Sequence, residues 1–328
     1  MQIVITGGAG FLGKKLARAI LEQDGVAIDG DYRPLERLRL VDVAAATGLP
    51  EDPRLEVVTT DLARPGAMAE VIDPATDVVF HLAAVVSAAA EADVDLGMAV
   101  NLKATMELLE TCRALPEPPR LVFASSVAVY GGPVVHGTIT DTTHLVPQTS
   151  YGVQKAAGEL LVLDYHRRGF VDGRSLRLPT IVVRPGRPNK AASTWASSII
   201  REPLAGEAAI CPVSRETAMF VLSPRKVVDG FLHALDLESA TIGVDRTIQL
   251  PGRTFTVDEM LQTLDAVAGP AVTARVRFEP DAAIQRICDG WARSFETARA
   301  AKLGFRADTS FREIVEAHIE DELGGRTG

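Results

Sequence analysis

Cysteine is scarce. Cys112, Cys211 and Cys288 are the only three in 328 residues, they lie far apart, and they form no CxxC. That excludes a disulfide framework and a thiolate zinc site, and it fits a reducing compartment. No run of Lys or Arg is long enough to count either. Thirty-four basic side chains against 43 acidic ones leave a formal net charge of −9. Such a chain is a poor partner for nucleic acid or an anionic membrane. The longest apolar run, Leu82 to Ala90, is less than half the ~20 residues that span a bilayer. The start, Met1-Gln-Ile-Val-Ile-Thr-Gly-Gly8, lacks the basic segment and apolar length of a signal peptide. Internal repeats and low-complexity tracts are also missing. The expectation is a soluble cytoplasmic protein with neither nucleic-acid nor membrane partners.

What is there has the rhythm of an α/β fold. Short apolar runs at 2–5, 38–41, 55–59, 78–80, 121–124, 176–178 and 247–250 predict buried strands. Between them, 11–22, 97–114 and 151–168 carry apolar residues at helical spacing. Alternating strands and helices with near-continuous apolar strands predict a doubly wound parallel sheet covered on both faces. The pattern changes after Arg184, where Pro185, Pro188, Pro203, Pro212 and Pro224 punctuate the chain. Residues 1–185, with 224–250 returning to them, are expected to form the nucleotide-binding domain. Residues 186–223 and 251–328 are expected to form a smaller substrate lobe. That lobe should hold helices at 257–268, 295–301 and 311–323 and an extended piece at 274–279.

The first chemical signal is Thr6-Gly-Gly-Ala-Gly-Phe-Leu-Gly13 between a strand and a helix. Gly7, Gly10 and Gly13 permit a tight turn and close backbone approach to a pyrophosphate, whose charge the helix N-terminus stabilises. Asp42 ends the second strand, where a carboxylate accepts hydrogen bonds from an adenosine ribose and repels a 2′-phosphate. The segment 24–34 reads as an extended loop that absorbs the long spacing to Asp42. Asp61-Leu62 ends the third strand, within reach of an adenine amino group. His81-Leu-Ala-Ala84 ends the fourth, with small residues that let a cofactor lie against backbone. His81 itself reads as a packed core histidine, and no metal is expected, since nothing at ligand spacing accompanies it.

The second signal is Tyr151-Gly-Val-Gln-Lys155, preceded by Ser125-Ser126. Residues four apart share a helix face. An ammonium beside a phenol favours the phenolate and lowers its pKa. Tyr151 is therefore a candidate general base for a substrate hydroxyl, and Ser126 a candidate hydrogen-bond partner for the same oxygen.

Together these residues resemble the extended branch of the short-chain dehydrogenase/reductase superfamily, the NAD-dependent epimerases and dehydratases. The matching runs are 6–13, Asp61-Leu62, 81–84, Asn101, Phe123-Ala-Ser-Ser-Val-Ala-Val-Tyr-Gly131 and 151–155. The resemblance implies a Rossmann-type NAD domain, a homodimer and a Ser126/Tyr151/Lys155 catalytic set, with Lys155 also holding the nicotinamide ribose. It further implies cofactor contacts from Phe11, Leu12, Leu82, Ala83, Ala84, Asn101 and Pro179, and a substrate contact from Ser87. Two positions depart from the sugar-nucleotide enzymes of that branch. Thr180 stands where an Asn is usual, and Ala218 where an Arg would meet a pyrophosphate.

The run Arg184-Pro-Gly-Arg187-Pro-Asn189-Lys190 supplies cations for a small carboxylate and an amide for hydroxyls. With Ile199-Ile-Arg-Glu-Pro-Leu-Ala-Gly206, it is similar to the D-erythronate dehydrogenase group within the branch. That narrower resemblance implies NAD-dependent oxidation at C2 of a four-carbon sugar acid, D-erythronate to 2-dehydro-D-erythronate. Arg187, Asn189 and Lys190 are then candidate substrate ligands. The alternatives are an NDP-sugar 4-epimerase or dehydratase with tightly held NAD, and a non-catalytic NAD(H)-binding regulator. An intact Ser126/Tyr151/Lys155 set argues against the regulator.

Overall fold

The runs that show no solvated face in the sequence are mostly buried in space; 55–59 is the exception, an edge strand whose Val57 and Thr59 are exposed because no further strand covers that side. The computed structural model describes residues 1–186 and 192–326. Seven strands form one sheet: β1 (Gln2–Thr6), β2 (Arg37–Asp42), β3 (Leu55–Thr59), β4 (Val78–His81), β5 (Arg120–Ser126), β6 (Asp172–Leu178) and β7 (Thr247–Gln249), in the order β7-β6-β5-β4-β1-β2-β3. Every pairing whose register is defined is parallel. The order reverses between β1 and β4. Such a switch point opens a crevice outside the carboxyl ends of the strands, where ligands bind in this class of sheet. Thr6, His81 and Phe123 sit side by side at that edge.

Contacts divide the chain into two units. The first holds Met1–Val129, Thr149–Arg177 and Val228–Gln249; the second holds Tyr130–Gln148, Leu178–Val227 and Leu250–Gly328. These boundaries differ from the 1–185 expectation, because 130–148 and 178–185 group with the second unit. A non-local pairing explains the former. Thr138–Ile139 lies parallel to Ser294–Phe295, and no local sequence signal announces such a partner. The same pairing corrects the helix expected at 295–301, where Phe295 is in the strand and the helix spans Ala298–Lys302.

In the first unit, Val4, Val41, Val79, Leu121 and Phe123 meet Leu108, Leu109 and Val162 in a core with little aromatic content. The segment 24–34 is not a loop. Gly25–Ile28 and Asp31–Pro34 form an antiparallel hairpin. Its turn is Asp29-Gly30, with φ of 55° and 81°, the Asp-Gly pair that two-residue hairpin loops favour. The tip is anchored. The Asp29 N–H donates to the Asp236 carbonyl at 3.0 Å, and Arg120 pairs with the Asp29 carboxylate at 2.9 Å.

In the second unit, Thr180–Ile181, Ala218–Leu222 and Arg253–Thr256 form a three-stranded sheet. Val276–Phe278, within the extended piece expected at 274–279, pairs with Ala209–Cys211. The helix Val257–Ala268 starts at a capping box. The Thr256 hydroxyl accepts from the Glu259 N–H, and the Glu259 carboxylate accepts from the Thr256 N–H. Among the described residues, no helix is long and apolar enough to cross a membrane.

Candidate active site and cofactor cradle

The turn after β1 is shaped to let backbone meet backbone. Gly7 has φ of +72°, and a Cβ there would lie 2.7 Å from the Ala83 nitrogen. Any larger residue would push the 82–84 strand end away. Gly10 caps the helix Phe11–Glu22 without a side-chain hydrogen bond, and no acidic residue sits in its first turn. The end of the helix dipole therefore stays open to an anion. Asp42 lies beside the turn. One carboxylate oxygen accepts from the Ala9 N–H at 3.0 Å and the other from the Ala44 N–H at 3.2 Å. Asp61 is exposed at the end of β3 and Leu62 is buried behind it. These residues fit a dinucleotide: an uncapped helix start and a glycine cradle for the pyrophosphate, and a carboxylate for the ribose. Phe11, Leu12, Leu82, Ala83 and Ala84 are all half-buried along this edge.

Asn101 is tied into the wall of the site. It is buried in a π-helical turn, Met98–Lys103. Its carbonyl oxygen accepts from the Val85 N–H at 2.8 Å, and its amide donates to the Val85 carbonyl at 3.0 Å and to Gln154 Oε1 at 2.7 Å. Both amide hydrogens are thus engaged. Asn101 clamps the 82–85 segment to the helix that carries Tyr151. Ser87 opens the short helix Ser87–Ala92 that follows.

Tyr151 sits in the first turn of the helix Ser150–Arg167. Its cap is Thr149, whose hydroxyl accepts from the Gly152 N–H at 3.1 Å. The Glu91 carboxylate accepts from the Ser150 N–H at 2.8 Å. Ser126, at the end of β5, lies close enough to the Tyr151 phenol to draw its pKa down. One turn on, Lys155 is 2% exposed. Its Nζ lies 4.7 Å from the Phe123 ring centroid and 5.8 Å from that of Tyr151. Gly158 makes this possible, since a Cβ there would stand 2.7 Å from the Phe123 ring. The three expected catalytic side chains are therefore brought together.

The electrostatics correct one expectation. Sequence reasoning puts the Tyr151 phenol below its ordinary value; the structure puts it above. Burial pushes it up to about 12, against the pull of Ser126. Burial likewise pushes Lys155 down to about 8, partly opposed by Glu159. The reason for the Tyr151 shift is burial of the phenol itself: desolvation of its charged form outweighs the pull of Ser126. His81 is a core histidine. Its ring bridges the Thr6 and Thr105 hydroxyls at 2.7 and 2.9 Å, and burial, with Lys155 nearby, pushes it down to about 3. No three His, Cys, Asp or Glu side chains gather to hold a metal among the described residues.

In the second unit, Pro179 is buried between β6 and Thr180. Ala218 pairs with Thr256. Arg187, Asn189 and Lys190 lie outside the described residues. Arg184, at the head of the same run, is described. Its guanidinium donates to the Ser193 hydroxyl at 3.0 Å, and its backbone N–H to the Ser197 hydroxyl at 3.0 Å. It pairs with no carboxylate among the described residues. Burial, and the like charge of Arg201, push it below the usual guanidinium range. Residues 187–191, Arg-Pro-Asn-Lys-Ala, contain no acid that could pair with it.

Comparison with known proteins now places the chain. Residues 3–243 match the NAD dependent epimerase/dehydratase family. The chain belongs to that family. A D-erythronate dehydrogenase from Cupriavidus necator is 53% identical over 98% of both chains. One from Haemophilus influenzae is 45% identical, over 98% of this chain and all of its own length. Among solved structures, one described as a nucleoside-diphosphate-sugar epimerase from Agrobacterium tumefaciens superposes with a TM-score of 0.92. It is 42% identical, covering 99% of this chain and 95% of its own.

Proposed function

We propose that this chain is an NAD-dependent dehydrogenase that oxidises D-erythronate at C2 to 2-dehydro-D-erythronate. The observation that carries the reading is near-full-length identity of 53% and 45% to two enzymes of that name. The Ser126/Tyr151/Lys155 cluster supports it with the acid–base groups that alcohol oxidation needs.

When bound, NAD supplies the hydride acceptor and a positive ring. Tyr151 Oη takes the proton of the C2 hydroxyl, Ser126 Oγ fixes the direction of that hydroxyl, and Lys155 supplies positive charge behind the phenol. Gly7, Gly10 and Gly13 hold the pyrophosphate, and Asp42 holds the ribose. Asn101 keeps the 82–85 wall in place.

The epimerase reading has one observation in its favour, the description of the Agrobacterium structure. One assay separates the two. Purified protein with NAD and D-erythronate should release free NADH, followed by its absorbance, and should leave UDP-glucose and UDP-galactose unchanged. Interconversion of a UDP-sugar without net NADH would overturn the dehydrogenase reading.

Two further outcomes follow from the site. Asp42→Ala should erode the preference for NAD over NADP, mostly by weakening NAD. Hydrogen bonds to a charged group contribute ~1.5–3 kcal/mol, so kcat/KM for NAD should fall on the order of tenfold to a hundredfold. An unchanged ratio of kcat/KM for the two cofactors would remove Asp42 from the ribose. The acid's carboxylate calls for a cation, and Arg184 has no carboxylate among the described residues. Arg184→Met should raise KM for D-erythronate at least ~10-fold, the low end of a charge-assisted contact. KM for NAD should stay put, and parallel loss of both would mean a folding defect instead.

The protein is proposed to act in the cytoplasm as a homodimer. Met106, Val153 and Leu160 are exposed apolar residues on the helices Ala104–Arg113 and Ser150–Arg167. A second copy covering that face would remove them from water.

A further inference from the structure

Lys155 is buried to 2% exposure, and no described acceptor takes a hydrogen bond from its ammonium. A lysine in that position should shed its proton, yet the proposed reaction needs it charged. The answer lies one helical turn further on. Glu159 is 3% exposed. Its carboxylate accepts from Arg177 Nε at 2.9 Å and Arg177 Nη2 at 2.6 Å, and from the Ser125 hydroxyl. Three elements converge on this carboxylate: the helix Ser150–Arg167, β5 through Ser125, and β6 through Arg177.

We propose that Glu159, locked in place by Arg177 and Ser125, is a positioning residue that keeps Lys155 in its charged form. This rests on the reading of Tyr151 and Lys155 as the acid–base pair and adds the group that sets their charge.

The groups facing Lys155 leave this role to Glu159. Tyr151 on the same helix is a neutral phenol. His81 on β4 is neutral, with both nitrogens on threonine hydroxyls. Ser125 and Ser126 on β5 carry no charge. Arg177 on β6 is spent on Glu159. Of the nearby charges, Glu159 is the one that pulls the Lys155 ammonium upward against burial. The bidentate Arg177 contact fixes the Glu159 carboxylate in place. The Ser125 contact gives a second oxygen bond at no cost in charge. Ser125, adjacent to the catalytic Ser126, thereby acquires a separate task.

The test reads Lys155 directly. Protein carrying 13C-labelled lysine, free of cofactor and substrate, is titrated by NMR, with the Lys155 ε-carbon assigned by Lys155→Met. Glu159→Gln should move the Lys155 midpoint down by about one pH unit or more. Ser125→Ala, which keeps the charge, should leave it in place. Glu159→Leu/Arg177→Leu covers the case in which Glu159→Gln does not fold, because a buried pair replaced by apolar residues is commonly tolerated. It should also lower the midpoint, by less than Glu159→Gln, because the opposing charge of Arg177 leaves with it. With substrate, a one-unit shift lowers kcat relative to wild type about twofold near pH 7 and about tenfold near pH 9. A Lys155 midpoint unmoved in both charge-removing variants overturns the proposal, as does a kcat ratio independent of pH. Because the titration needs no substrate, a shifted midpoint without D-erythronate turnover would leave this proposal standing and sink the substrate assignment alone.

Discussion

Tyr151→Phe should abolish most turnover while leaving NAD binding intact. A positioned general base contributes ~10²–10⁴-fold, and the loss in kcat should fall in that range or above it. Of the Tyr151 phenol and the Ser126 hydroxyl, the phenol is by far the stronger acid and is the group that can act as the base. Its value of about 12 in the cofactor-free protein also sets a pH dependence. The deprotonated fraction grows as pH rises, so kcat/KM of the wild type should climb from about pH 6 to about pH 8, where loss of charge from Lys155 limits it. The variant should lose that climb. Retention of more than about a tenth of wild-type kcat, a smaller effect than base catalysis gives, would transfer the role to another group. Unaltered NAD affinity, measured by fluorescence or calorimetry, separates a chemical loss from misfolding.

Asp172→Asn should cost stability rather than chemistry. Arg174 and Arg246 are among the most buried side chains in the protein, at 0% and 1% exposure. Both share Asp172, at 2.5 and 3.0 Å, and Arg120 reaches it at 2.9 Å. Arg174 also donates to the Ala234 carbonyl in the last turn of the helix Pro224–Asp236, and Arg246 to the Ser239 carbonyl. Breaking a buried pair by removing one partner costs ~3–5 kcal/mol, because the other charge is left unpaired. At ~2–4 °C per kcal/mol for chains of 150–250 residues, a drop in Tm on the order of 10 °C is expected. The pH dependence has a fixed sign. Burial presses the Asp172 carboxyl upward, but Arg174, Arg120 and Ser239 together outweigh it and hold it below the usual carboxylate range. Its contribution is therefore complete above the ordinary carboxylate pKa and is lost as pH falls through the depressed one. The gap between wild type and variant should narrow on acidification. A gap of less than about 2 °C near pH 7, under the smallest loss this pair implies, would show that the arginines find other partners.

Much of the first unit was legible because its signals are local. Strand runs such as 2–5 and 55–59 lie inside single windows, and so do the glycine turn and the Tyr151–Lys155 spacing. The hairpin at 24–34 was also local, and its Asp29-Gly30 turn was the available signal. A loop and a hairpin account equally for the long spacing to Asp42, so the spacing alone does not choose between them. Other features are not local in any sense. The pairing of 138–139 with 294–295 brings together residues about 155 apart in sequence, beyond any periodicity. The direction of the Tyr151 shift was misjudged because a sequence gives the neighbour's charge and withholds the depth of burial. Arg184 was hidden for a related reason. A guanidinium without a counter-ion is visible only once its surroundings are known. The Glu159–Arg177 pair spans a helix and a strand, so neither residue stands out within its own window.

The place of His81 has a practical consequence for reading titration curves. An imidazole is the first group an enzymologist assigns to an inflection between about pH 6 and 7. This one needs a pH near 3 to take a second proton, and its two ring nitrogens are engaged by threonine hydroxyls on opposite sides. It is spectroscopically silent across the working range, a fixed dipole in the middle of the sheet. Inflections measured on the alkaline side therefore belong to the coupled phenol and ammonium of Tyr151 and Lys155, as macroscopic values of the pair. An inflection near pH 6.5 would have to come from somewhere other than the histidine closest to the chemistry.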